Sequence, residues 1–461
     1  MVATFADDLD NPRKCCVAVQ APVPQRRIFT IVAIISMMIL LNSTLRSANL
    51  VSQGPVTVEI RGEPGNYRLH RGGEPYVVLG AGTQEVDALE SLHRAGGNSI
   101  RTWSSDGVGD LLDRAHELDI TVSLCLDVKR ERHGFDYDDE AAVAAQFDAM
   151  REEVLRYRDH PALLTWIIGN ELNHEYNNPG VYDAVNDIAS MIHELDPHHP
   201  TTTTTTADIS FELVAVIKER APDLDFLSVQ VYGTLVDMPR VLPHVGWDKA
   251  FMITEWGTVG HWEVPTTPWG APIELDSSRK ADNYARGYRD VIRALDGLHI
   301  GQYVFLWGYK QERTPTWYGM FLPDGRRTEA IDVLQHAWTG QWPENRAPRI
   351  ESMTLDGREA GAGVTLAAGD VVTAEVRVRD AERDPLSYEW KLLRESEATQ
   401  SGGDAEDVPD DISHLIVSQE GHEVRLHAPS KTGACRLFAY IKDTKETGAH
   451  ANIPFLVSDQ E

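Results

Sequence analysis

The sequence predicts an α/β fold: a (β/α)8 TIM barrel followed by a small all-β, Ig-like sandwich, with an apolar signal or anchor segment ahead of both. Three observations carry this. Short β-rich runs alternate with helical patterns eight times over roughly 270 residues, the usual size of a closed barrel. Past Trp342–Pro348 the helical periodicity stops and runs alternating apolar with polar residues take over. Near the start, Ile28 to Leu41 is an apolar run behind Arg26 and Arg27. The implied division is 1–55 for a cytoplasmic tail, anchor and linker, 56–341 for the barrel, and 348–461 for the sandwich.

Extended through Asn42 to Leu45, the apolar run is short for a membrane span. Arg46, two before Ala48, is poor for signal cleavage. The expectation is an uncleaved anchor over residues 28–45, with cleaved secretion second. Either way the basic flank stays in the cytoplasm and the bulk is exported to the periplasm or the outside.

The barrel strands follow in order. Tyr76 to Leu79, ending in Gly80-Ala81-Gly82, is the first, and Glu85 to Ala95 is its helix, with Val86, Leu89 and Leu92 on one side. Asn98 to Trp103 and Ile120 to Val128 are the second and third. Leu163 to Ile168 is a buried fourth strand that stops abruptly at Gly169-Asn170-Glu171. Six threonines, Thr201 to Thr206, invite a low-complexity label, but a β-branched run between Pro200 and Ala207 reads as the fifth strand. Phe226 to Tyr232, Ala250 to Trp256 and Gly301 to Trp307 complete the set. Helical patterns cover Asp110–Leu118, Ala141–Tyr157, Tyr182–Leu195, Phe211–Arg220, Ser278–Leu295 and Thr328–Trp338. An open doubly wound sheet is the rival fold. It would carry a glycine-rich phosphate loop after its first strand, and Gly80-Ala81-Gly82 is too short for one.

Beyond Pro348, Val371 to Arg379 and Glu423 to Leu426 alternate as strands of an antiparallel sandwich do. Asp380 to Leu386, with Tyr388-Glu389-Trp390, resembles PKD and cadherin-like modules. Its acidic turn could bind calcium but reads better as solvated.

Composition excludes some functions. With 43 basic against 71 acidic residues the net charge is −28, which argues against nucleic-acid binding because phosphate needs basic stripes. The balance fits neutral substrates. Of four cysteines, Cys15 and Cys16 precede the apolar run. Cys125 and Cys435 fall in different domains and read as small buried residues, not as a disulfide. No spacing resembles a zinc site, and neither metal nor organic cofactor is expected.

Two carboxylates stand out. Glu171 ends the fourth strand, and Glu255, in Phe251-Met252-Ile253-Thr254-Glu255-Trp256-Gly257, ends the seventh. Barrels build their sites at the carboxyl ends of strands. Taken singly, either glutamate reads as solvated or ion-paired. Together, in aromatic surroundings, they read as the pair that cleaves glycosidic bonds, about 5 Å apart in retaining enzymes.

Residues about 66 to 341 resemble clan A glycoside hydrolases, especially the family 2 barrel of β-galactosidases and β-glucuronidases. They are also similar to the β-glucanosyltransferase group, which has a comparable Gly-Asn-Glu. The resemblance implies that Glu171 is the acid/base and Glu255 the nucleophile. It makes Arg101 and Tyr232 the partners that hold the nucleophile, Asn170 a ligand of the sugar 2-hydroxyl, and Trp307 the aromatic floor of the site. Trp103, Trp256, Trp262, Trp317 and Tyr318 are candidates for sugar stacking or for core packing, and the Asp-rich stretch His133 to Glu140 is expected to line the cleft. The implied activity is retaining hydrolysis of a β-linked, glucan-type oligo- or polysaccharide. Transglycosylation and a non-catalytic carbohydrate-binding barrel are the alternatives. Family 2 proteins usually carry sandwiches before the barrel, whereas only a short hairpin fits here, so substrate specificity does not transfer.

Overall fold

The computed structural model describes residues 54–400 and 402–459, so the segment expected to anchor the chain, 28–45, lies outside the described residues. Among the described residues no helix is long and apolar enough to cross a membrane.

The chain opens with a hairpin, β1 (Val58–Arg61) and β2 (Arg68–Arg71), extended by β3 (Glu74–Pro75). Val58 and Leu69 pack on Leu164, Phe226, Ala250 and Ile300, which lie at or near the amino-terminal starts of barrel strands. The hairpin therefore plugs the bottom of the barrel, each buried aliphatic side chain contributing about 1.5–3 kcal/mol.

The barrel strands are β4 (Leu79–Gly82), β5 (Ser99–Arg101), β6 (Thr121–Leu126), β7 (Leu163–Ile168), β8 (Thr201–Thr202), β9 (Thr204–Thr205), β10 (Phe226–Val231), β11 (Ala250–Trp256) and β12 (His299–Val304). They pair in parallel in the order β8-β7-β6-β5-β4-β12-β11-β10-β9. β8 and β9 are halves of one stretch broken at Thr203. Thr202 pairs with Ile167 of β7, and Thr204 pairs with Ser228 of β10. Counted as one strand, the two halves close an eight-stranded ring. Around it run α1 (Ala88–Arg94), α2 (Gly109–Glu117), α3 (Glu140–Tyr157), α4 (Gly180–Leu195), α5 (Phe211–Arg220), α6 (Met238–Val241), α7 (Ser277–Arg286) and α8 (Glu329–Thr339).

The first strand and the helix over Ser278–Leu295 differ from expectation. The first strand is the glycine run itself. Tyr303 fills the barrel centre, its hydroxyl 2.9 Å from Ser99 Oγ and 2.6 Å from Ser123 Oγ. A Cβ on Gly80 would lie 2.3 Å from the Tyr303 ring, so only glycine leaves room. The long helix expected over Ser278–Leu295 is instead α7, capped by Asp276, followed by a wider turn over Gly287–Ile292 and a tighter one over Arg293–Leu295.

The second sheet system begins at β13 (Arg349–Leu355). One four-stranded sheet joins β13, β15 (Val371–Arg379), β18 (Glu423–His427) and β17 (Ile416–Glu420). The other joins β14 (Thr365–Ala367), β20 (Gly448–Ser458), β19 (Gly433–Lys442) and β16 (Ser387–Arg394). Both contribute to one apolar core that includes Leu355, Val376, Trp390, Leu437 and Phe455, which makes a sandwich. It is not wholly antiparallel, because β14 and β20 pair in parallel.

The outer face of β19 and β20 is buried as well, against the barrel. Arg436 donates to Asn452 Oδ1 at 2.7 Å and to the Pro272 carbonyl at 2.8 Å. Asn452 donates to Glu274 Oε2 at 2.7 Å, and Lys280 donates to Glu274 Oε1 at 2.5 Å. Burial pushes the Glu274 carboxyl up, but Lys280, His450 and Arg436 outweigh it and bring it down to about 2. A buried charge held this way requires all its partners, so barrel and sandwich form a single compact unit.

Candidate active site

Glu255 lies in β11, whose seven residues are all buried. Three donors converge on its carboxyl group. Arg101 Nη1 reaches Oε1 at 2.5 Å and Trp103 Nε1 reaches the same oxygen at 2.8 Å. The Tyr232 hydroxyl donates to Oε2 at 2.6 Å. Arg101 ends β5, Trp103 follows two residues later, and Tyr232 follows β10. Donors from two opposite parts of the rim thus fix both oxygens. Burial, then the Glu255 charge, pushes the Tyr232 phenol far above its ordinary range, so it remains a donor.

Arg101 is fully buried, and its second arm holds Asn170, Nη2 donating to Oδ1 at 2.9 Å. Gln230 Nε2 donates to the same Oδ1 at 2.7 Å. With its oxygen doubly engaged, Asn170 presents its Nδ2 as a donor on the cavity. Gln230 escaped the sequence reading. Its signal was position: two residues before Tyr232 on a strand, it shares that residue's face.

β7 stops at Ile168, and the chain turns through Gly169 (φ 76°) and Glu171 (φ 51°). A left-handed glutamate costs about 1–2 kcal/mol. The Glu171 N–H donates to Thr204 Oγ1 at 2.8 Å, which offsets part of that cost. The threonine run therefore supplies a positioning hydroxyl. The Glu171 side chain opens on the cavity, and among the described residues no hydrogen bond reaches its carboxyl group. Desolvation, then the charge of Glu255, pushes it up to about 8 against the opposing pull of Arg101, Arg130 and Arg132.

The cavity has a volume of about 910 Å³, at the upper end for a single-ligand pocket. Glu171, Glu255, Asn170 and Tyr232 all line it. Arg101 stands behind them. Trp307 is also among the lining residues, yet its side chain is fully buried, its Nε1 donates to Ser91 Oγ at 2.8 Å, and the indole stacks on Trp338. β12 ends at Val304, and by Trp307 the chain has turned outward over α1. Phe305 lines the cavity beside it, packed edge-on against Trp103 and Tyr232. Of the other aromatic candidates, Trp103, Tyr318 and the 60% exposed Trp262 line the cavity. Trp256 and Trp317 belong to the core, bonded to Gln302 and to the Val259 carbonyl. The stretch His133 to Glu140 contributes none of the lining residues. Asp139 caps α3, and Asp138 accepts from Asn178.

Glu263 accepts backbone N–H bonds from Gly233 and Gly260, both at 2.7 Å, and so ties the loop after Tyr232 to the loop after β11. Among the described residues no group of three His, Cys, Asp or Glu side chains is placed to hold a metal ion.

No family model and no curated protein matches this chain. Among solved structures, a β-glucuronidase of Bacteroides uniformis shares 13% identity at a TM-score of 0.48, covering 87% of this chain and 48% of its own. A Parabacteroides merdae β-glucuronidase shares 13% at 0.46, with 88% and 51% covered. A β-galacturonidase from Eisenbergiella tayi shares 17% at 0.47, with 62% and 54% covered. The chain spans about half the length of these structures.

Proposed function

We propose that this protein is a retaining glycoside hydrolase that cleaves β-linked, glucan-type carbohydrate by double displacement. One observation carries the reading. Two glutamates at barrel-strand ends share a cavity in opposite settings: Glu255 is gripped by three donors, and Glu171 is unbonded and pushed up to about 8. Environments that separate two carboxyl groups in this way assign one as nucleophile and the other as acid.

In the first step a Glu255 oxygen forms a bond to the anomeric carbon as the bond to the leaving oxygen breaks. Glu171 passes its proton to that oxygen. Glu255 is then an ester, its charge is gone, and one cause of the raised Glu171 pKa disappears. Glu171, now a carboxylate, takes a proton from water as that water attacks the anomeric carbon and frees Glu255. Asn170 Nδ2 binds a sugar hydroxyl, and Trp262 offers an apolar face at the mouth.

The test is NMR of the first product released from aryl β-glycosides and β-linked gluco-oligosaccharides. A β-anomer is expected. An α-anomer first would overturn double displacement, and products longer than the input would assign transfer to a sugar in place of water. No turnover of any β-glycoside would sink the enzymatic reading.

The reading extends to location. Residues 28–45, behind Arg26 and Arg27, suit an anchor that leaves the barrel on the exported side, and the sandwich is then a PKD- or cadherin-like accessory module. Cell fractionation tests the location: the protein should be in the membrane fraction and open to added protease in intact cells or spheroplasts.

A further inference from the structure

Between β16 and β17 the sandwich sends a segment into the cavity that holds Glu171 and Glu255. Thr399, Gln400, Gly402, Gly403 and Asp404 line that cavity together with the barrel residues. The segment is moored at two places on the barrel rim. On one side Arg132 forks onto Asp404, with Nη1 at 2.6 Å and Nη2 at 3.0 Å, and His133 Nε2 lies 3.1 Å from the same carboxyl group. On the other side Lys310 donates to the Gly403 carbonyl at 2.7 Å, the Arg313 N–H donates to Glu406 Oε2 at 2.7 Å, and the Arg313 guanidinium donates to the Ala398 carbonyl. Arg132 follows β6, whereas Lys310 and Arg313 follow β12, three steps away around the ring.

These moorings are not ordinary surface ion pairs. The Arg132 side chain is only 6% exposed and that of Glu406 only 1%. A two-pronged guanidinium–carboxylate pair fixes orientation as well as position, although the Asp404 side chain keeps 30% of its surface exposed. Thr399 and Gln400, by contrast, are exposed, and their polar side chains suit sugar hydroxyls.

We propose that this segment is a substrate-contacting wall of the cleft, so that the sandwich helps determine which β-linked oligosaccharides the barrel accepts. The Arg132–Asp404 pair is its latch. This rests on the glycosidase reading above and adds to it a site element supplied by the second domain. The sugar between the two glutamates is held by barrel residues alone. The wall meets the units beyond it, so its effect falls on long substrates more than on short ones.

Kinetics on two substrates test this: a nitrophenyl β-glucoside and a β-linked gluco-oligosaccharide, each with the parent, Asp404→Ala and Thr399→Trp. Asp404→Ala releases the latch and should raise the ratio of oligosaccharide KM to aryl-glucoside KM about tenfold. Thr399→Trp fills the cleft from an exposed position and should raise the same ratio at least as much. Thermal melting accompanies both. If Asp404→Ala does not fold, Thr399→Trp alone decides. An unchanged ratio in folded variants overturns the inference and leaves the glycosidase reading intact. A parent inactive on both substrates overturns the glucan-type specificity, and this inference with it.

Discussion

At the end of β11, Glu255 accepts hydrogen bonds from Arg101, Trp103 and Tyr232, whereas at the end of β7 nothing among the described residues donates to the Glu171 carboxyl group. The strand ends are alike: buried parallel strands, six and seven residues long, opening on one cavity. The difference comes from neighbours. β11 stands beside β10, which supplies Tyr232, and β5 aims Arg101 and Trp103 at Glu255. β7 stands beside the threonine strand, which engages the Glu171 backbone and leaves its carboxyl group alone. A carboxylate surrounded by donors is fixed in place. One left without donors in an enclosed site keeps its proton.

The largest expected effects abolish one side of this contrast. Glu255→Ala should lower kcat on the order of 10⁴–10⁶-fold, read with an activated aryl glycoside, because no other group replaces a nucleophile. Glu171→Ala should cost about 10²–10⁴-fold on substrates whose leaving group needs a proton, and less on activated ones. A larger Glu171 effect on activated substrates would reverse the two roles.

Acidity sharpens the same contrast. With Glu171 near 8, kcat/KM should fall as pH rises through about 8, and Glu171→Gln should abolish that limb. The stability sign follows. A carboxyl group raised in the folded state favours folding below its unfolded value near 4.5, and that contribution is lost as pH climbs through about 8. Glu171→Gln should therefore melt higher than the parent at pH 9 and match it near pH 4. A higher melting point at pH 4 alone would contradict the assignment.

Smaller effects come from the grip on Glu255. Arg101→Met leaves a buried carboxylate unpaired and frees Asn170, which should destabilise the protein by about 3–5 kcal/mol in urea unfolding. Tyr232→Phe deletes one charge-assisted hydrogen bond, worth about 1.5–3 kcal/mol, so kcat should drop about ten- to a hundredfold with the fold intact. Thr204→Val removes only the acceptor of the Glu171 N–H. About 1 kcal/mol and a fewfold loss in kcat are expected, with the pH limb displaced if the turn shifts.

Much of this was legible beforehand where local pattern and burial agree. β11 and β7 were read to the residue because parallel strands covered on both faces appear as continuous apolar runs. The threonines read as a strand because β-branching favours extended backbone, and Thr201 to Thr205 form its two buried halves, β8 and β9. The first strand was misplaced because glycines signal turns, and here they make room for Tyr303. β19 and β20 went unread because burial against both the core and the barrel erases the alternation that marks a sandwich strand. Phe305 stays out of the sequence reading because residue type is visible there and the direction of the chain past Val304 is not.

By itself the sequence determined that Glu171 and Glu255 stand at the ends of barrel strands, because strand-end position follows from local hydrophobic pattern. Only the tertiary structure decided which glutamate is gripped and which is left bare, which aromatic ring faces the cavity, and that the sandwich reaches into the cleft. Those depend on distances between residues far apart in the chain, and closure of the ring and docking of the second domain set such distances.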